Sequence, residues 1–597
     1  MRKKVFYSFA LASALMLGAC SSSDDLNGGS IGSNDANTSY VSININSVGT
    51  APGTRASYGT GGDTYEDGEG VESAINKVRF YFFNADGTPY ILNSAGNEAS
   101  VNYLDKEFAK EKDDHDHTAE TVTNAVLVLN GQSSLAPASM IAVVNPEAAG
   151  VNAGTPGDLL GNSSQRFSIL RTSMEGSNWK DNKGFVMSNS VYKEAGTDVC
   201  STQLGGRIFT NESEAVKNPI DVYVERVLAK VDANVNTTNN NWSQVTENTY
   251  KDTWKIKVGT LQLAQEEGQA AKTVDVYAWI QGWGIADANG HAQLLKQIKV
   301  ADWTDQILGI TPWNTADYHR CFWSNSSAIT NERPLVNQPF NKYINQFGKG
   351  ALYAMPNTPD AVVANPKNSK NYLTKVLVAA KLGYQDGETW KPAEICEYKG
   401  QEFLGISSLK AVLLKENTKY FIKGTGTNGE DTYTNMTADN IEFVTSSTDN
   451  TDLKDYQVVA HLKGVTTLWR VADDALASPT DNTNSNGPVY VQVTADEVNK
   501  ELAQNPAEVR YDGDAYYYTP IKHLGKTGTL GEYGVVRNHS YKITIDDIKG
   551  WGTPVYDPAK VIIPTIPSND KSYLAARVNV LSWRVVSSNV NLDQTKK

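Results

Sequence analysis

The sequence is short of cysteine and of cationic residues, and both shortages narrow its possible functions. Four cysteines occur in 597 residues, at Cys20, Cys200, Cys321 and Cys396. None forms a CxxC pair, which argues against a zinc site. A disulfide between Cys321 and Cys396 stays open, because spacing alone does not decide pairing. Lys and Arg number 54 against 67 Asp and Glu, a net charge of -13, which argues against nucleic acid as a partner.

Motifs for catalysis are also scarce. The chain contains no HExxH sequence and no phosphate-binding loop. Its seven histidines do not cluster except in DDHDH, Asp113 to His117. That run could chelate a metal, but a solvated, charge-rich loop is the plainer interpretation. No carboxylate pair stands out for glycoside hydrolysis. We therefore expect no enzymatic activity, no metal and no cofactor.

What the sequence does contain is typical of a mostly β protein. There are 47 Gly, 29 Tyr and 12 Trp, and few stretches have helical periodicity. Short alternating segments bounded by turn residues predict many strands joined by long loops. A chain of this length exceeds one ordinary core, so we expect several domains.

The N-terminus resembles a bacterial lipoprotein signal. Cationic residues precede a short apolar run, and LGAC follows at residues 17–20. Residues 1–19 are then a signal peptide, and Cys20 receives the lipid. An ordinary secretory signal with a chance cysteine is the alternative. Residues 20–38 are small and polar, which predicts a flexible tether on an outer-membrane lipoprotein precursor.

A single arginine separates the first strand candidate from the rest of the chain. In residues 39–48 the apolar side chains alternate with polar ones, and these are Val41, Ile43 and Ile45. The Gly-, Thr- and Pro-rich loop 49–70 follows and contains Arg55, the first cation after Lys4. A protease specific for basic residues would find one target there. A plain exposed arginine is the alternative.

The C-terminus ends in another strand-like pattern, at residues 574–592. Val578 and Val580 alternate in one phase, and Leu581, Trp583 and Val585 alternate in the other, which predicts a bulge or bend. Four prolines precede this segment within 553–597. We expect them to hold the strand away from the body as a semi-rigid linker.

Five motifs in this order resemble the type V pilus fimbrillins of Bacteroidales, and most of all the Mfa-type shaft subunit. They span nearly the whole chain: LGAC, INKVRFYFFN, VERVLAKV, VVRNHSYKITIDDI and VNVLSWRVVSSNVNL. One departure is Ser582 before Trp583, where the Mfa-type pattern has proline.

The resemblance implies two transthyretin-like Greek-key β-sandwich domains, which we assign to residues 39–219 and 220–552, and a C-terminal donor strand. It also implies export to the cell surface and assembly into a fimbrium that mediates adhesion and colonisation. An arginine- or lysine-specific surface protease would cut between Arg55 and Ala56, and the first strand would leave. The implied donor residues are Val578, Val580, Leu581, Trp583, Val585 and Val590.

The partners implied are other copies of the chain, anchor and tip fimbrillins, the outer membrane through the lipid, and host or bacterial surface receptors. A tip or accessory fimbrillin is an alternative role. A monomeric glycan-binding lipoprotein is another, because five tryptophans crowd into a short region where packing in loops or core is the plainer interpretation. They are Trp279, Trp283, Trp303, Trp313 and Trp323.

Overall fold

The fold is known from a computed structural model. The structure describes residues 38–47, 68, 70–92, 100–108, 123–130, 136–149, 160–190, 192–194, 197–245, 254–263, 272–298, 324, 326, 335–367, 371–472, 488–523, 525, 527–565, 573–582 and 585–586. Strands dominate these ranges, which confirms the mostly β prediction. Among the described residues no helix has the length and apolar character needed to span a bilayer.

The N-terminal part of the chain forms one large sheet in the order β3-β2-β5-β7-β11-β1-β4, with β10 beside β5. The strand β2 carries apolar side chains on both faces of the sheet: Phe80 packs into a core on one face, and Tyr81 packs into a core on the other. The strands are β1 Thr38–Ser47, β2 Lys77–Phe83, β3 Tyr103–Glu107, β4 Thr123–Asn130, β5 Ser139–Val144, β6 Glu175–Gly176, β7 Met187–Asn189, β8 Tyr192–Glu194, β9 Thr197–Val199, β10 Thr202–Gln203 and β11 Ile220–Arg226.

The chain changes sheets after β11. A two-sheet sandwich follows, in which β19-β12-β32-β34-β35 faces β13-β14-β15-β20-β31-β33, with β21 beside β20. Inward-facing residues from both sheets share one apolar core. The strands up to the second sheet's edge are β12 Ala229–Val235, β13 Trp242–Gln244, β14 Trp254–Gln262, β15 Thr273–Ala286, β16 Ala288–Asn289, β17 Ala292–Gln293, β18 Leu335–Val336, β19 Leu352–Ala354, β20 Lys375–Asp386 and β21 Thr389–Pro392.

An additional folded unit lies between β21 and β31. It has two sheets, β23-β22-β30-β27-β26 and β25-β24-β28-β29, and the helices Ile406–Glu416 and Ala495–Ala503. Its core is separate from that of the sandwich. The strands are β22 Ile395–Tyr398, β23 Gln401–Leu404, β24 Phe421–Thr425, β25 Asp431–Asn435, β26 Ile441–Val444, β27 Gln457–Leu462, β28 Thr467–Val471, β29 Tyr490–Thr494 and β30 Ala507–Val509.

The final strands return to the sandwich. They are β31 Asp514–Pro520, β32 His539–Lys549, β33 Thr553–Pro554, β34 Tyr573–Ser582 and β35 Val585–Val586. Because β11 pairs in the N-terminal sheet and β12 in the sandwich, the crossing between them falls at Val227 and Leu228. This is later in the chain than the boundary predicted at residue 220.

Candidate functional site

The first strand is an interior member of the N-terminal sheet. β1 runs parallel to β11, with Ile43 opposite Ile220, and antiparallel to β4, with Val41 opposite Leu127. Val41 and Ile43 are fully buried, as the alternation predicted. Ile45 pairs with Val222 across the same ladder. If β1 left, β4 and β11 would face each other across a gap one strand wide.

Additional hydrogen bonds hold the start of β1. The backbone N–H of Tyr40 donates to the carbonyl of Phe209 at 2.6 Å, and the N–H of Phe209 donates back to Tyr40 at 2.9 Å. The helix Glu212–Lys217 lies just beyond Phe209 and is capped by the Asn211 side chain, which accepts from the Ser213 N–H. The segment between β10 and β11 therefore covers one end of the gap that β1 fills.

The C-terminal strand does not stand away from the body, and that expectation is wrong. β34 pairs antiparallel with β32 of its own chain, from His539 opposite Ser582 to Lys549 opposite Tyr573. Leu574 and Ala576 are buried in the core of the sandwich. The free edge of β32 accepts this strand, so a neighbouring subunit is not needed to pair it.

The proline-containing linker is docked as well, which corrects the second part of the same expectation. The N–H of Ile562 donates to the carbonyl of Gln338 at 3.0 Å, and the N–H of Asn341 donates to the carbonyl of Pro558 at 3.0 Å. The Tyr516 hydroxyl donates to the Ile563 carbonyl at 3.4 Å. These contacts fix residues 558–563 of the linker on the outer face of the sandwich.

The bulge or bend predicted where the alternation changes phase, between Val580 and Leu581, is wrong, because β34 pairs with β32 in continuous register through both residues. The chain reverses after Ser582 instead. β35 turns back on β34, with Val580 opposite Val586 and Leu581 opposite Val585. Within the described residues this ladder consists of two pairs, whereas β34 pairs with β32 along its length. Of the six donor residues predicted, the structure places Val578, Val580 and Leu581 in β34 and Val585 in β35, and Trp583 and Val590 lie outside the described residues.

A buried charge cluster joins the strand beside β1 to the strand beside β34. The Glu225 carboxylate, at the end of β11, lies 2.9 Å from the Lys296 ammonium and 3.2 Å from Nε of Arg537, just before β32. All three side chains are almost completely shielded from solvent. Arg537 also donates to the Leu294 carbonyl and the Ser188 hydroxyl, each at 2.9 Å. Paired and hydrogen-bonded in this way, the charges are tolerated in the interior.

Glu72 forms a second buried link beside the first. Its carboxylate lies 3.0 Å from the ammonium of Lys230 in β12 and accepts a hydrogen bond from the Tyr353 hydroxyl. Its backbone carbonyl accepts from Nε of Arg226 at 2.5 Å. Glu72 ends the short helix Gly70–Glu72, directly after the predicted cleavage loop. The chain is therefore anchored at the junction immediately downstream of that loop.

Backbone hydrogen bonds close the junction. The N–H of Arg226 donates to the Asn538 side chain at 3.2 Å, and the N–H of Asn538 donates to the Leu228 carbonyl at 2.9 Å. Asn538 has φ of 56°, in the left-handed region that asparagine tolerates better than most residues. The motifs VERVLAKV and VVRNHSYKITIDDI thus meet in space. Sequence analysis missed this contact, although charged residues inside apolar strands were a signal for it.

The other predicted features are placed as follows. Trp279 and Trp283 are buried, so they pack in the core and offer no open ring face, and Trp303, Trp313 and Trp323 lie outside the described residues. Cys396 is a free, buried thiol whose pKa burial raises to about 12. Within the described ranges no group of three or more His, Cys, Asp or Glu is arranged to hold a metal. Cys20, Arg55, Ala56, Cys321 and the DDHDH run lie outside those ranges.

Comparison with known proteins identifies the C-terminal region. Residues 510–589 match the profile of the family described as major fimbrial subunit protein type IV, fimbrillin, C-terminal. The matched region includes β31, β32 and β34, and with them Arg537 and Asn538 of the junction. The predicted resemblance to fimbrillins is confirmed, and the chain has a fimbrillin-like C-terminal region. The curated proteins contain no match to this sequence.

The solved structures that match this chain include two fimbrial proteins. One is the tip fimbrial protein Mfa3 from Porphyromonas gingivalis with C-terminal truncation, which has 9% identity and a TM-score of 0.28, over 92% of this chain and 100% of that one. The other is a fimbrial assembly protein from Parabacteroides distasonis, with 9% identity and a TM-score of 0.25, over 67% of this chain and 99% of that one.

Proposed function

We propose that this chain is a structural pilin, the shaft subunit of a fimbrium that polymerises by strand exchange after proteolysis. The observation that carries the proposal is the position of β1. It is an interior strand with fully buried Val41 and Ile43, and a long Gly-, Thr- and Pro-rich loop with one arginine joins it to the body. A strand in this position can be detached by a single cut without breaking the rest of the chain.

Loss of β1 would destabilise the N-terminal sheet, and a replacement strand would restore its stability. Burial of one large aliphatic side chain contributes about 1.5–3 kcal/mol, and Val41 and Ile43 each fill a core position. The backbone groups of β4 and β11 that face β1 would also lose their partners, which is costly in a partly buried setting. A strand added from another chain would restore both contributions.

The C-terminal hairpin supplies that strand. Detaching β34 would break its ladder with β32 and expose Leu574 and Ala576. Opening the hairpin breaks, among the residues that the structure describes, the two pairs that β35 makes. We therefore assign residues 573–582 as a root that stays in its own subunit and the segment from Trp583 onward as the part that reaches the next one. The span Trp583 to Leu592 has ten residues, the same number as β1.

This arrangement produces a filament. The gap lies in the N-terminal sheet and the donor lies at the edge of the sandwich, so each contact is heterologous and leaves both ends free to add subunits. Between the gap and the donor segment of one subunit, tension along the filament would pass from β34 through β32 and the Glu225 cluster to β11. Glu72 remains in the mature subunit after a cut at Arg55, so the junction survives processing.

The proposed route begins at the membrane. Lipidation of Cys20 anchors the precursor to the outer membrane, and a surface protease specific for arginine or lysine cuts between Arg55 and Ala56. The mature subunits then join the fimbrium together with anchor and tip fimbrillins. The assembled fimbrium binds host or bacterial surface receptors and so mediates adhesion.

Replacement of Arg55 tests the proposal. Mature subunits from wild-type filaments should begin at Ala56 by N-terminal peptide mapping. Arg55→Ala should give a folded monomeric precursor and no filaments by electron microscopy, because β1 stays in the sheet. Ser57→Ala, in the same loop, retains the cation and is the matched control. Filaments of normal density from Arg55→Ala would contradict the proposed switch.

A further inference from the structure

The folded unit inserted between β21 and β31 presents an aromatic face that the polymerisation mechanism does not use. In the sheet β25-β24-β28-β29, cross-strand pairing puts Phe421 opposite Trp469, and Tyr433 and Tyr490 lie on the neighbouring strands. All four rings remain half-buried. The intervening residue Leu468 points to the opposite face and is buried in the unit's own core.

The rings of this aromatic face hold one another in place. Tyr433 and Tyr490 stack with centroids 3.8 Å apart and planes at 9°. Tyr433 meets Trp469 edge-on at 5.6 Å, and Phe421 meets Tyr490 edge-on at 5.3 Å. Such contacts fix the side-chain rotamers, so a ligand that lies on the rings orders little that was mobile before.

Two opposite charges on the aromatic face, those of Lys423 and Asp431, are paired with each other. The Lys423 ammonium lies 2.6 Å from the Asp431 carboxylate and 5.2 Å from the centroid of the Trp469 ring. In the row that contains Phe421 and Trp469, the flanking residues are the exposed amides Asn435 and Gln492. Amides both donate and accept hydrogen bonds. The face therefore combines apolar ring surface with uncharged polar groups at its two ends.

We propose that this aromatic face binds a neutral glycan. A pyranose ring has one face of C–H groups that packs on an aromatic ring and a rim of hydroxyl groups that pair with amides, which matches the face in both respects. Lys423 on this face is already paired with Asp431, which weakens its attraction for a sulfate or carboxylate. The net charge of -13 also disfavours anionic glycans. Trp469 is the stacking platform, and Asn435 and Gln492 take the hydroxyl groups.

A printed array of neutral, sialylated and sulfated glycans, probed with the purified full-length chain, tests this assignment. Binding is expected to neutral glycans only. Titration calorimetry with the strongest neutral hit then measures affinity. Trp469→Ala should weaken binding by about tenfold or more, the scale of removing a central aromatic contact. Gln492→Ala, which removes no ring, should weaken it by about twofold to tenfold.

Val491→Ala is the matched control, because Val491 lies next to Gln492 in β29 and points to the opposite face. It should leave the affinity unchanged. If Trp469→Ala fails to fold, Gln492→Ala alone decides the result. An array with no neutral glycan bound, with binding only to anionic glycans, or with affinity unchanged in Gln492→Ala overturns the assignment. Concentration-dependent self-association that Trp469→Ala abolishes would assign the face to a second copy of the chain and overturn it too.

Discussion

Ile43→Ala in β1 should destabilise the precursor and leave the mature subunit unchanged. The Ile43 side chain is completely buried, with 0% of its surface accessible to solvent, and it packs with residues of β4 and β11. Truncation of a buried isoleucine to alanine costs about 2–5 kcal/mol. Because the site lies in the middle of a sheet that cannot easily collapse, we expect a value within that range.

Urea unfolding of the uncleaved chain measures the change in the free energy of unfolding through the shift in midpoint. Val128→Ala is the control, because Val128 lies on the neighbouring strand β4 and is 44% exposed. It should change the free energy of unfolding by no more than about 0.5 kcal/mol. Filaments assembled from cleaved Ile43→Ala subunits should be as stable as wild-type filaments, since residue 43 is no longer present. An unchanged precursor, or weakened filaments, would refute the assignment of β1 as a detachable core strand.

Four further predictions follow from the junction, the hairpin, a buried acid and the lipid. Glu225→Gln leaves two buried cations without their carboxylate and should lower the free energy of unfolding by about 3–5 kcal/mol in urea. Deletion of residues 583–597 should stop polymerisation and leave the melting temperature of the monomer unchanged, whereas deletion of residues 573–597 should lower that temperature. Equal melting curves for the two variants would contradict the assignment of residues 573–582 as the root. Burial raises the pKa of Asp514 to about 6, so its ionisation opposes folding. Stability should therefore fall as pH rises from about 4 to 6, and Asp514→Asn should remove that part of the pH dependence in urea titrations. Cys20→Ala should abolish incorporation of a palmitate analogue, and label retained in that variant would show that lipidation occurs elsewhere.

The strand β1 was predictable from the sequence because a strict alternation of apolar and polar residues is typical of a strand. Val41 and Ile43 alternate with polar residues, and the structure buries both. The fimbrillin resemblance was also readable, since the segment VVRNHSYKITIDDI lies within the matched region 510–589. What the motifs could not show is that Glu225 and Arg537 meet, because they are distant in sequence and their pairing depends on how the two sheets pack.

The terminal strand was misjudged for a physical reason. Alternation showed that one face of residues 573–582 is suited to burial, but it carries no information on which edge the strand pairs with. The edge of β32 was free within the same chain, and β34 occupies it.

The sequence pattern does not reveal the unit between β21 and β31, because its strands are short and much of its second sheet is open to solvent. Phe421 and Trp469 are far apart in sequence, and the strand pairing brings them together.

Cross-linking within assembled filaments tests the central claim most directly. A photoreactive benzoylphenylalanine at Val590 should, on irradiation, join the C-terminal segment to peptides that contain β4 or β11. Filaments grown from a mixture of light and heavy isotope-labelled subunits distinguish bonds between subunits from bonds within one. The proposal predicts mixed light–heavy pairs of residue 590 with 123–130 or 220–226. Cross-links confined to one isotope, or to any surface other than the gap beside β4 and β11, would contradict it.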